Sequence, residues 1–378
     1  MQIAEVESLV LGGAHFVRIT TDSGLVGLGQ SACWAYPDAV HAVVTTTFRD
    51  YLVGQDPRQI ERHWQHLYRM GPFRGSVLSG AISAVDIALW DIKGQLLQAP
   101  IWELLGGKYR DRVRLHLLMG GRTPDEIAAN ARHAAEDGFT AIKFDPIPAG
   151  FGDMTQDALV RGVVANVAAA REAVHAEVDI ILELHRKLTP LQAPPVIEAI
   201  ARFNPLFVED PIQIDSIISQ SDIARRVTQP IANGERMHSI WEFREMLVNG
   251  GSQYVRPDVG LAGGLTHCKK IAAIAESFHS AVVTHNFLGP VLTAAAVHLD
   301  TCIPNFVVQE YTLADESPKW SGFDGVLRRD GGYLIPPEVP GLGVRLTHSS
   351  IDGVLAPMGG RPLHEIPLRK DGSVVYAV

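Results

Sequence analysis

Residues 179–185 read Asp179-Ile180-Ile181-Leu182-Glu183-Leu184-His185, a short apolar run that ends in side chains able to bind protons or metals. A run of four to eight apolar residues is typical of a buried strand in a parallel sheet. Similar runs recur after Asp111, each followed by a segment with helical spacing. The predicted strands are 115–118, 140–144, 179–184, 206–208, 230–232, 254–256, 281–283 and 306–309. Eight strands that alternate with helices predict a closed parallel barrel.

The chain on both sides of these strands has other patterns. Residues 15–30 alternate around a turn and predict a hairpin, whereas residues 37–105 have helical spacing. Residues 336–340 are proline-rich, and they begin a tail without helical period that we expect to pack on the first unit. The predicted organisation is an α+β capping domain at 1–112, the barrel at 113–330, and a C-terminal segment at 331–378 that returns to the capping domain.

Composition and charge exclude several classes of function. The chain has 33 Lys and Arg against 42 Asp and Glu, a net charge of −9, and no basic block, which argues against nucleic-acid and membrane partners. No apolar run approaches the ~18 residues of a membrane span, and the acidic first residues do not resemble a secretory signal, so we expect a cytoplasmic protein. Cys33, Cys268 and Cys302 support neither a disulfide framework nor a thiolate zinc site. No helix is predicted after Gly24-x-x-Gly27-x-Gly29, which excludes the dinucleotide fingerprint.

Charged and histidine side chains stand at the ends of the predicted strands. In a parallel barrel these ends converge on one mouth, where active sites lie. Glu183, Glu209 and Glu235 are 26 residues apart, about one βα unit, so we expect them at equal height on consecutive strands. The candidate site residues selected by this rule are Lys143, Asp145, Glu183, His185, Glu209, Asp210, Glu235, Asp258, His285 and Glu310.

Three carboxylates in one buried mouth favour a bound cation. Their negative charges would repel one another in a medium of low dielectric constant unless a cation lay among them. Oxygen ligands without cysteine favour a hard ion, Mg²⁺ first and Mn²⁺ second. Each carboxylate taken singly could instead cap a helix or pair with a barrel Lys or Arg, but three in register favour the metal.

Two histidines flank the predicted metal site. His285 ends the seventh strand and Asp258 ends the sixth, so the carboxylate can fix the tautomer of a histidine suited to accept a proton. Without that carboxylate and the three glutamates, His285 would be read as an ordinary core residue. His185 follows Glu183 by two residues, and strand alternation predicts that both point to the same side.

Several motifs together resemble the mandelate racemase branch of the enolase superfamily. They are Lys143-Phe144-Asp145-Pro146, Glu183-Leu184-His185, Val208-Glu209-Asp210-Pro211, Ala232-Asn233-Gly234-Glu235-Arg236, Arg256-Pro257-Asp258, Thr284-His285-Asn286 and Gln309-Glu310, with an upstream run from Ser83 to Gly94. The resemblance implies a (β/α)7β modified TIM barrel with an α+β capping domain, in which a proton is abstracted α to a carboxylate and Mg²⁺ stabilises the enolate. It implies metal ligation by Glu183, Glu209 and Glu235, a base dyad of Asp258 and His285, and a hydrogen bond from Glu310 to the developing enolate oxygen.

The second strand distinguishes the subtype. Racemases of this branch usually carry Lys-x-Lys there, but Asp145 stands at the final position in this chain. Glu183-Leu184-His185 instead resembles acid-sugar dehydratases of the galactonate, gluconate and mannonate type, in which such a histidine is the general acid. The predicted function is therefore dehydration of a sugar acid to a 2-keto-3-deoxy acid. A racemase or epimerase, a catalytically silent sugar-acid binding protein, and a phosphate-binding barrel that uses residues 260–264 are the alternatives.

Substrate contacts are expected from the barrel and from the cap loops. In relatives the position of Lys143 touches the substrate carboxylate, while Asp145 could bind a sugar hydroxyl or pair with Lys143. Trp34, Tyr36 and Arg74 are cap-loop candidates, although an exposed loop arginine such as Arg74 is more often merely solvated. The expected partner is a small-molecule acid sugar, and the resemblance implies a homo-oligomer.

Overall fold

The N-terminal unit begins with an antiparallel sheet. A computed structural model describes residues 1–347 and 367–375. The strands are β1 (Ile3–Leu11), β2 (Ala14–Thr21) and β3 (Val26–Ser31), paired in that order. The predicted hairpin corresponds to β2 and β3, whereas β1 was not predicted because its apolar and polar residues do not alternate regularly.

Helices follow this sheet in the chain and pack against it or against one another. They are α1 (Pro37–Val43), α2 (Arg49–Leu52), α3 (Ile60–Arg69), α4 (Ser76–Leu97) and α5 (Ile101–Leu104). The long helix α4 is buried over most of its length and lies directly on β3. A Cβ atom at Gly29 would overlap the backbone oxygen of Ala84, so this glycine allows the strand and the helix to approach each other.

The central part of the chain is a closed barrel of eight parallel strands. They are β4 (Val113–Leu118), β5 (Ala141–Phe144), β6 (Asp179–Glu183), β7 (Phe207–Glu209), β8 (Ile231–Asn233), β9 (Tyr254–Val255), β10 (Ala281–Thr284) and β11 (Phe306–Tyr311). Each strand pairs with the next, and β11 pairs with β4 to close the barrel. The helices between them are α6 (Pro124–Glu136), α7 (Gln156–Ala173), α8 (Ala193–Ile200), α9 (Ile217–Arg226), α10 (Ile240–Val248), α11 (Gly264–Ser277) and α12 (Pro290–Cys302). The predicted (β/α)7β barrel with an α+β unit beside it is confirmed.

The interior of the barrel changes from apolar to charged along its axis. One apolar layer is formed by Ala141, Ile181, Phe207, Ala232, Val283 and Val308. Lys143, Glu183 and Glu209 each follow a member of this layer by two residues, so strand alternation directs them to the same interior one level higher. The charged groups therefore lie at the C-terminal mouth of the barrel, above a packed floor.

The segment after the barrel contacts both units. Its short strands are β12 (Phe323–Asp324), β13 (Arg329–Asp330), β14 (Tyr333–Leu334) and β15 (Arg345–Leu346), and β14 extends the barrel sheet beside β4. The indole of Trp102 donates to Pro337 O at 2.8 Å, and Asp91 accepts the backbone N–H groups of Leu28 (3.0 Å) and Leu342 (2.9 Å). Much of the predicted segment 331–378 lies outside the described residues, and the boundaries at 112/113 and 330/331 stay predictions. No helix in the described part of the chain is long and apolar enough to cross a membrane.

Candidate active site

Three glutamates meet at the C-terminal mouth of the barrel. Oxygen atoms of Glu183, Glu209 and Glu235 lie within 4.8 Å of one another, and all three side chains are buried. Clustered carboxylates form the all-oxygen donor set that Mg²⁺ and Mn²⁺ prefer. The structure thus brings together the three residues that the sequence predicts as metal ligands.

The glutamates reach this cluster by two routes. Glu183 ends β6 and is in register with Glu209, which ends β7. Glu235 lies beyond the end of β8 at Asn233, and Gly234 with φ 130° separates the two. The expectation of equal height on three strands is therefore correct for the first two residues and wrong for Glu235, which extends from a loop.

Lys143 lies among these carboxylates. Its Nζ atom is 3.1 Å from Glu183 Oε2, 2.9 Å from Glu209 Oε1 and 2.8 Å from Glu310 Oε1. Burial and the charge of Arg256 lower the pKa of Lys143, but the three carboxylates outweigh them and the pKa is raised. The three carboxylates therefore favour the protonated form of the Lys143 amine.

Arg256 is a second buried cation of the cluster. Its Nε is 2.7 Å from Glu209 Oε1, and its Nη2 is 2.5 Å from Glu310 Oε2. The motif Arg256-Pro257-Asp258 did not by itself indicate a role for this arginine. It is the last residue of the predicted strand 254–256, so the strand-end rule that selected the other charged residues would have found it.

Arg186 is a third buried cation, and it lies two residues beyond the predicted strand 179–184, as Asp210 does beyond 206–208. Its Nη1 donates to Glu235 Oε1 at 2.7 Å and also to Asp210. It follows the end of β6 in a left-handed conformation with φ 61°, so neither strand alternation nor helical spacing predicts where its side chain goes.

Adjacent glutamates of the cluster have opposite pKa shifts. Burial raises the pKa of Glu209 well above its usual value, because Arg256 and Lys143 offset only part of the cost of ionising it. Burial acts in the same direction on Glu183, but Lys143 outweighs it and lowers this pKa to about 2. In the absence of a further cation, burial and the neighbouring charges therefore favour ionisation of Glu183 and disfavour ionisation of Glu209.

The predicted dyad is formed. His285 Nδ1 is 2.6 Å from Asp258 Oδ2, and the two residues form an isolated bridge between the ends of neighbouring strands. The other ring nitrogen, Nε2, is 3.5 Å from Glu235 Oε2 and thus faces the cluster. Burial alone would lower the pKa of His285, but Glu235, Glu310 and Asp258 outweigh burial and raise it.

His185 is near the cluster for a reason other than the predicted one. Strand β6 ends at Glu183, and His185 has φ 51°, so strand alternation does not apply to it. Its backbone N–H donates to Glu183 Oε1 at 2.8 Å, and its ring makes no hydrogen bond with any described residue. Burial lowers the pKa of His185 despite the opposing charges of Glu183 and Glu235. Its imidazole is therefore available and mostly neutral near pH 7.

Glu310 lies on β11 and faces the same mouth. Burial would raise its pKa, but Lys143 and Arg256 outweigh burial and lower it well below its usual range. Glu310 is therefore an ionised acceptor. It can donate a hydrogen bond to a developing oxygen only after it has gained a proton.

Asp145 is directed away from Lys143. Its carboxylate pairs with Lys187 and accepts the backbone N–H of Ile147 at 2.8 Å. The predicted alternative of a pair between Asp145 and Lys143 is therefore wrong, because three glutamates already surround that ammonium group. The other alternative, a contact with a sugar hydroxyl, stays a prediction.

The cap residues differ in how close they come to the cluster. The guanidinium of Arg236 lies 5.4 Å from the ring of Trp34, and its Nε is 3.1 Å from Glu235 Oε1, so Trp34 borders the site. Tyr36 is 56% exposed. Arg74 stacks at 4.2 Å over Tyr68 and donates to carbonyl groups of its own loop. Neither Tyr36 nor Arg74 contacts the carboxylates.

The charges of the cluster fit a divalent cation. At the mouth of the barrel, the buried carboxylates are Glu183, Glu209, Asp210, Glu235, Asp258 and Glu310, and the buried cations beside them are Lys143, Arg186 and Arg256. The ion pairs that were the alternative to a metal are thus present, but they leave an excess of negative charge even with a proton on His285. The Oε2 atom of Glu209 is also buried without a partner in the described chain. A dication at the three glutamates would neutralise the excess negative charge and would give Glu209 Oε2 a partner.

Comparison with known proteins identifies the family. Residues 8–106 match the N-terminal domain of mandelate racemase and muconate lactonizing enzyme, and residues 126–350 match the enolase C-terminal domain-like family. The chain belongs to the mandelate racemase/muconate lactonizing enzyme family. The resemblance stated from the sequence is therefore confirmed, and the chain is an enzyme of the enolase superfamily.

Relatives of this family member include named dehydratases. A D-galactonate dehydratase of Ralstonia nicotianae is 37% identical over 89% of both chains, and that of Pectobacterium atrosepticum is 36% identical over the same shares. Among solved structures, a member of the enolase superfamily from Salmonella Typhimurium is 29% identical with a TM-score of 0.88 over 93% of this chain and 97% of that one. An enolase from Agrobacterium radiobacter, solved with sodium and L-malate, is 26% identical with a TM-score of 0.91 over the whole of both chains.

Proposed function

We propose that this enzyme is a sugar-acid dehydratase. It removes the C2 proton of an aldonate such as galactonate or gluconate and eliminates the C3 hydroxyl, which gives a 2-keto-3-deoxy acid. The observation that carries the proposal is the 2.6 Å hydrogen bond between His285 and Asp258 beside three clustered glutamates. The relatives named D-galactonate dehydratase support the reaction and the class of substrate.

Glu183, Glu209 and Glu235 would hold a divalent cation, with Mg²⁺ preferred and Mn²⁺ second. When bound, the cation supplies positive charge that stabilises an enediolate and offsets the pull of Glu235 on the proton of His285. Lys143 adds a fixed positive charge to the same mouth, which favours a substrate that carries a carboxylate.

His285 is the proposed base. Asp258 accepts from Nδ1, so the lone pair of the neutral ring is at Nε2, the atom that faces the cluster. After Nε2 takes the C2 proton, the imidazolium is stabilised by Asp258, Glu235 and Glu310. His285 Nε2 can therefore both remove the C2 proton and return it.

His185 is the proposed acid. It gives a proton to the C3 hydroxyl, which leaves as water, and so it must be protonated beforehand. Burial lowers its pKa, and we therefore expect elimination to slow as the pH rises through neutrality, while exchange of the C2 proton continues. An epimerase would need a second base on the opposite face of the substrate, for which His185 and Lys143 are the candidates; the three carboxylates around Lys143 favour its protonated form and so make it the weaker one.

The test is a screen of acid sugars in D₂O with Mg²⁺, in which 2-keto-3-deoxy product and deuterium at C2 are measured separately. The His185→Asn variant should keep exchange at C2 and lose product, whereas the exposed His133→Asn variant on α6 should keep both. Loss of exchange in His185→Asn would contradict the assignment of the acid. An isomeric acid formed without loss of water would replace dehydration by epimerisation.

Other parts of the proposal concern specificity and assembly. Trp34 borders the cluster through Arg236 and is the first candidate for contact with the distal part of the substrate. Tyr36, Arg74 and Asp145 stay candidates for the same purpose. A homo-oligomer and a cytoplasmic location also stay predictions.

A further inference from the structure

The first turn of helix α11 is capped by another part of the chain. This helix begins at Gly264 after Gly263, so its own N-cap residue offers no side chain to the free amide groups. Ser83 Oγ, on helix α4, accepts the N–H groups of Gly263 at 2.9 Å and Gly264 at 3.1 Å. One turn further along α4, Asp86 Oδ2 accepts the N–H of Thr266 at 3.0 Å.

The contact between the two helices is close and excludes water. Ser83 and Asp86 are buried, and a Cβ atom at Gly264 would overlap the carboxylate of Asp86. The indole of Trp64, from α3, donates to Gly263 O at 2.9 Å. The N-terminal unit thus binds three backbone N–H groups, those of Gly263, Gly264 and Thr266, and the carbonyl group of Gly263.

The same loop carries the carboxylate of the dyad. Asp258 O accepts the N–H of Ala262 at 2.7 Å, and Asp258 Oδ1 accepts the N–H of Gly260 at 2.7 Å. Gly260 O in turn accepts the N–H of Ala32 at 2.8 Å, at the end of β3. The segment from Asp258 to α11 is therefore held by the N-terminal unit at both of its ends.

We propose that Ser83 and Asp86 are positioning residues, which fix the Asp258 loop from the N-terminal unit and so orient His285 for proton transfer. The kinetic consequence rests on the proposed function, but the geometric one does not. Asp258 places one carboxylate oxygen on the imidazole and the other on its own loop, so a shift of the loop turns the carboxylate and weakens the bond to His285. This gives a physical task to the run from Ser83 to Gly94.

Helix α4 also offers a matched control. Asp91 is as deeply buried as Asp86 and likewise accepts backbone N–H groups, from Leu28 and Leu342. Neither partner belongs to the Asp258 loop. Asp86→Ala and Asp91→Ala should therefore both lower the free energy of unfolding, but only Asp86→Ala should disturb the dyad.

The first measurement uses the full-length protein without metal or substrate. The Nδ1 proton of His285, held against Asp258 at 2.6 Å, should give a far-downfield proton NMR signal, which is assigned by its loss in Asp258→Asn. Ser83→Ala and Asp86→Ala should shift or remove this signal, whereas Asp86→Asn, which keeps an acceptor oxygen, and Asp91→Ala should retain it. Ser83→Ala also keeps the proposal testable if Asp86→Ala fails to fold.

The second measurement is exchange of the C2 proton in the Mg²⁺-loaded enzyme. A misplaced base lowers kcat by roughly 10²-fold, and KM should change little because Ser83 and Asp86 lie outside the cluster. An unchanged NMR signal in both Ser83→Ala and Asp86→Ala, or an equal loss in Asp91→Ala, would overturn the proposal. Absence of any sugar-acid activity would overturn the proposed function alone, since the NMR result does not depend on it.

Discussion

Replacement of Lys143 by methionine tests the electrostatic account of the cluster. Methionine fills much of the same space but removes the charge that lies 2.8–3.1 Å from three buried glutamates. Loss of one partner from a buried ion pair costs about 3–5 kcal/mol, because the remaining charge stays buried without compensation. Typical domains have only about 5–15 kcal/mol of stability, so this loss is easily measured.

The assay is urea unfolding, followed by circular dichroism, once with a chelator and once with excess Mg²⁺. With the chelator, Lys143→Met should lower the free energy of unfolding by the full amount of about 3–5 kcal/mol. In Mg²⁺ the loss should be smaller, since a dication at Glu183 and Glu209 replaces the missing charge, and a ligand at about 100 times its Kd stabilises the folded state by about 2.7 kcal/mol. The variant should therefore gain more from Mg²⁺ than the wild type does.

The control is Lys269→Met. Lys269 lies on α11, and its amine donates to the backbone oxygen of Cys302 at 3.1 Å and pairs with no carboxylate among the residues that the structure describes. Its loss should be near the ~1 kcal/mol of a neutral contact and independent of Mg²⁺. A loss of less than about 1 kcal/mol for Lys143→Met in chelator, or an equal loss with and without Mg²⁺, would refute the reasoning.

Three further predictions follow from the same structure. Glu209→Gln should weaken Mg²⁺ binding by more than about tenfold in calorimetry, and unchanged affinity would exclude Glu209 as a ligand. Burial raises the pKa of Asp300 from 3.8 to about 8, so the folded state keeps a proton that the unfolded state loses, and this residue lowers stability as the pH rises between those values. The free energy of unfolding of Asp300→Asn relative to wild type should thus rise by on the order of 5 kcal/mol between pH 4 and pH 8. A difference in unfolding free energy that does not change with pH would contradict this. Gly29→Ala should lower stability by more than about 1 kcal/mol, measured by urea unfolding, because the new methyl group meets Ala84.

The sequence predicts those parts of the site that follow strand periodicity. Apolar runs give the barrel, and the barrel gives the convergence of strand ends, so the paired heights of Glu183 and Glu209 follow directly. The neighbouring positions of Asp258 and His285 follow in the same way. Glu183 and Glu209 end their strands, and Asp258 and His285 form a bridge just beyond the ends of theirs.

The remaining parts depend on backbone that has left regular structure. Glu235 reaches the cluster from a loop, and His185 and Arg186 have positive φ angles that periodicity does not predict for such residues. The balance of charges around Lys143 and Arg256 was also missed. A pairing between side chains on several strands depends on their rotamers and distances, which the pattern of a single strand does not contain.

The Asp91 carboxylate joins parts of the chain that are made at very different times. It bonds to Leu28 in β3 and to Leu342, which follows it by 251 residues. At about 5–20 residues per second, the ribosome needs on the order of 10 s or more to make the intervening barrel. During that time the buried carboxylate lacks one of its backbone donors. The N-terminal unit is therefore made before the barrel but completed only after the barrel has been made.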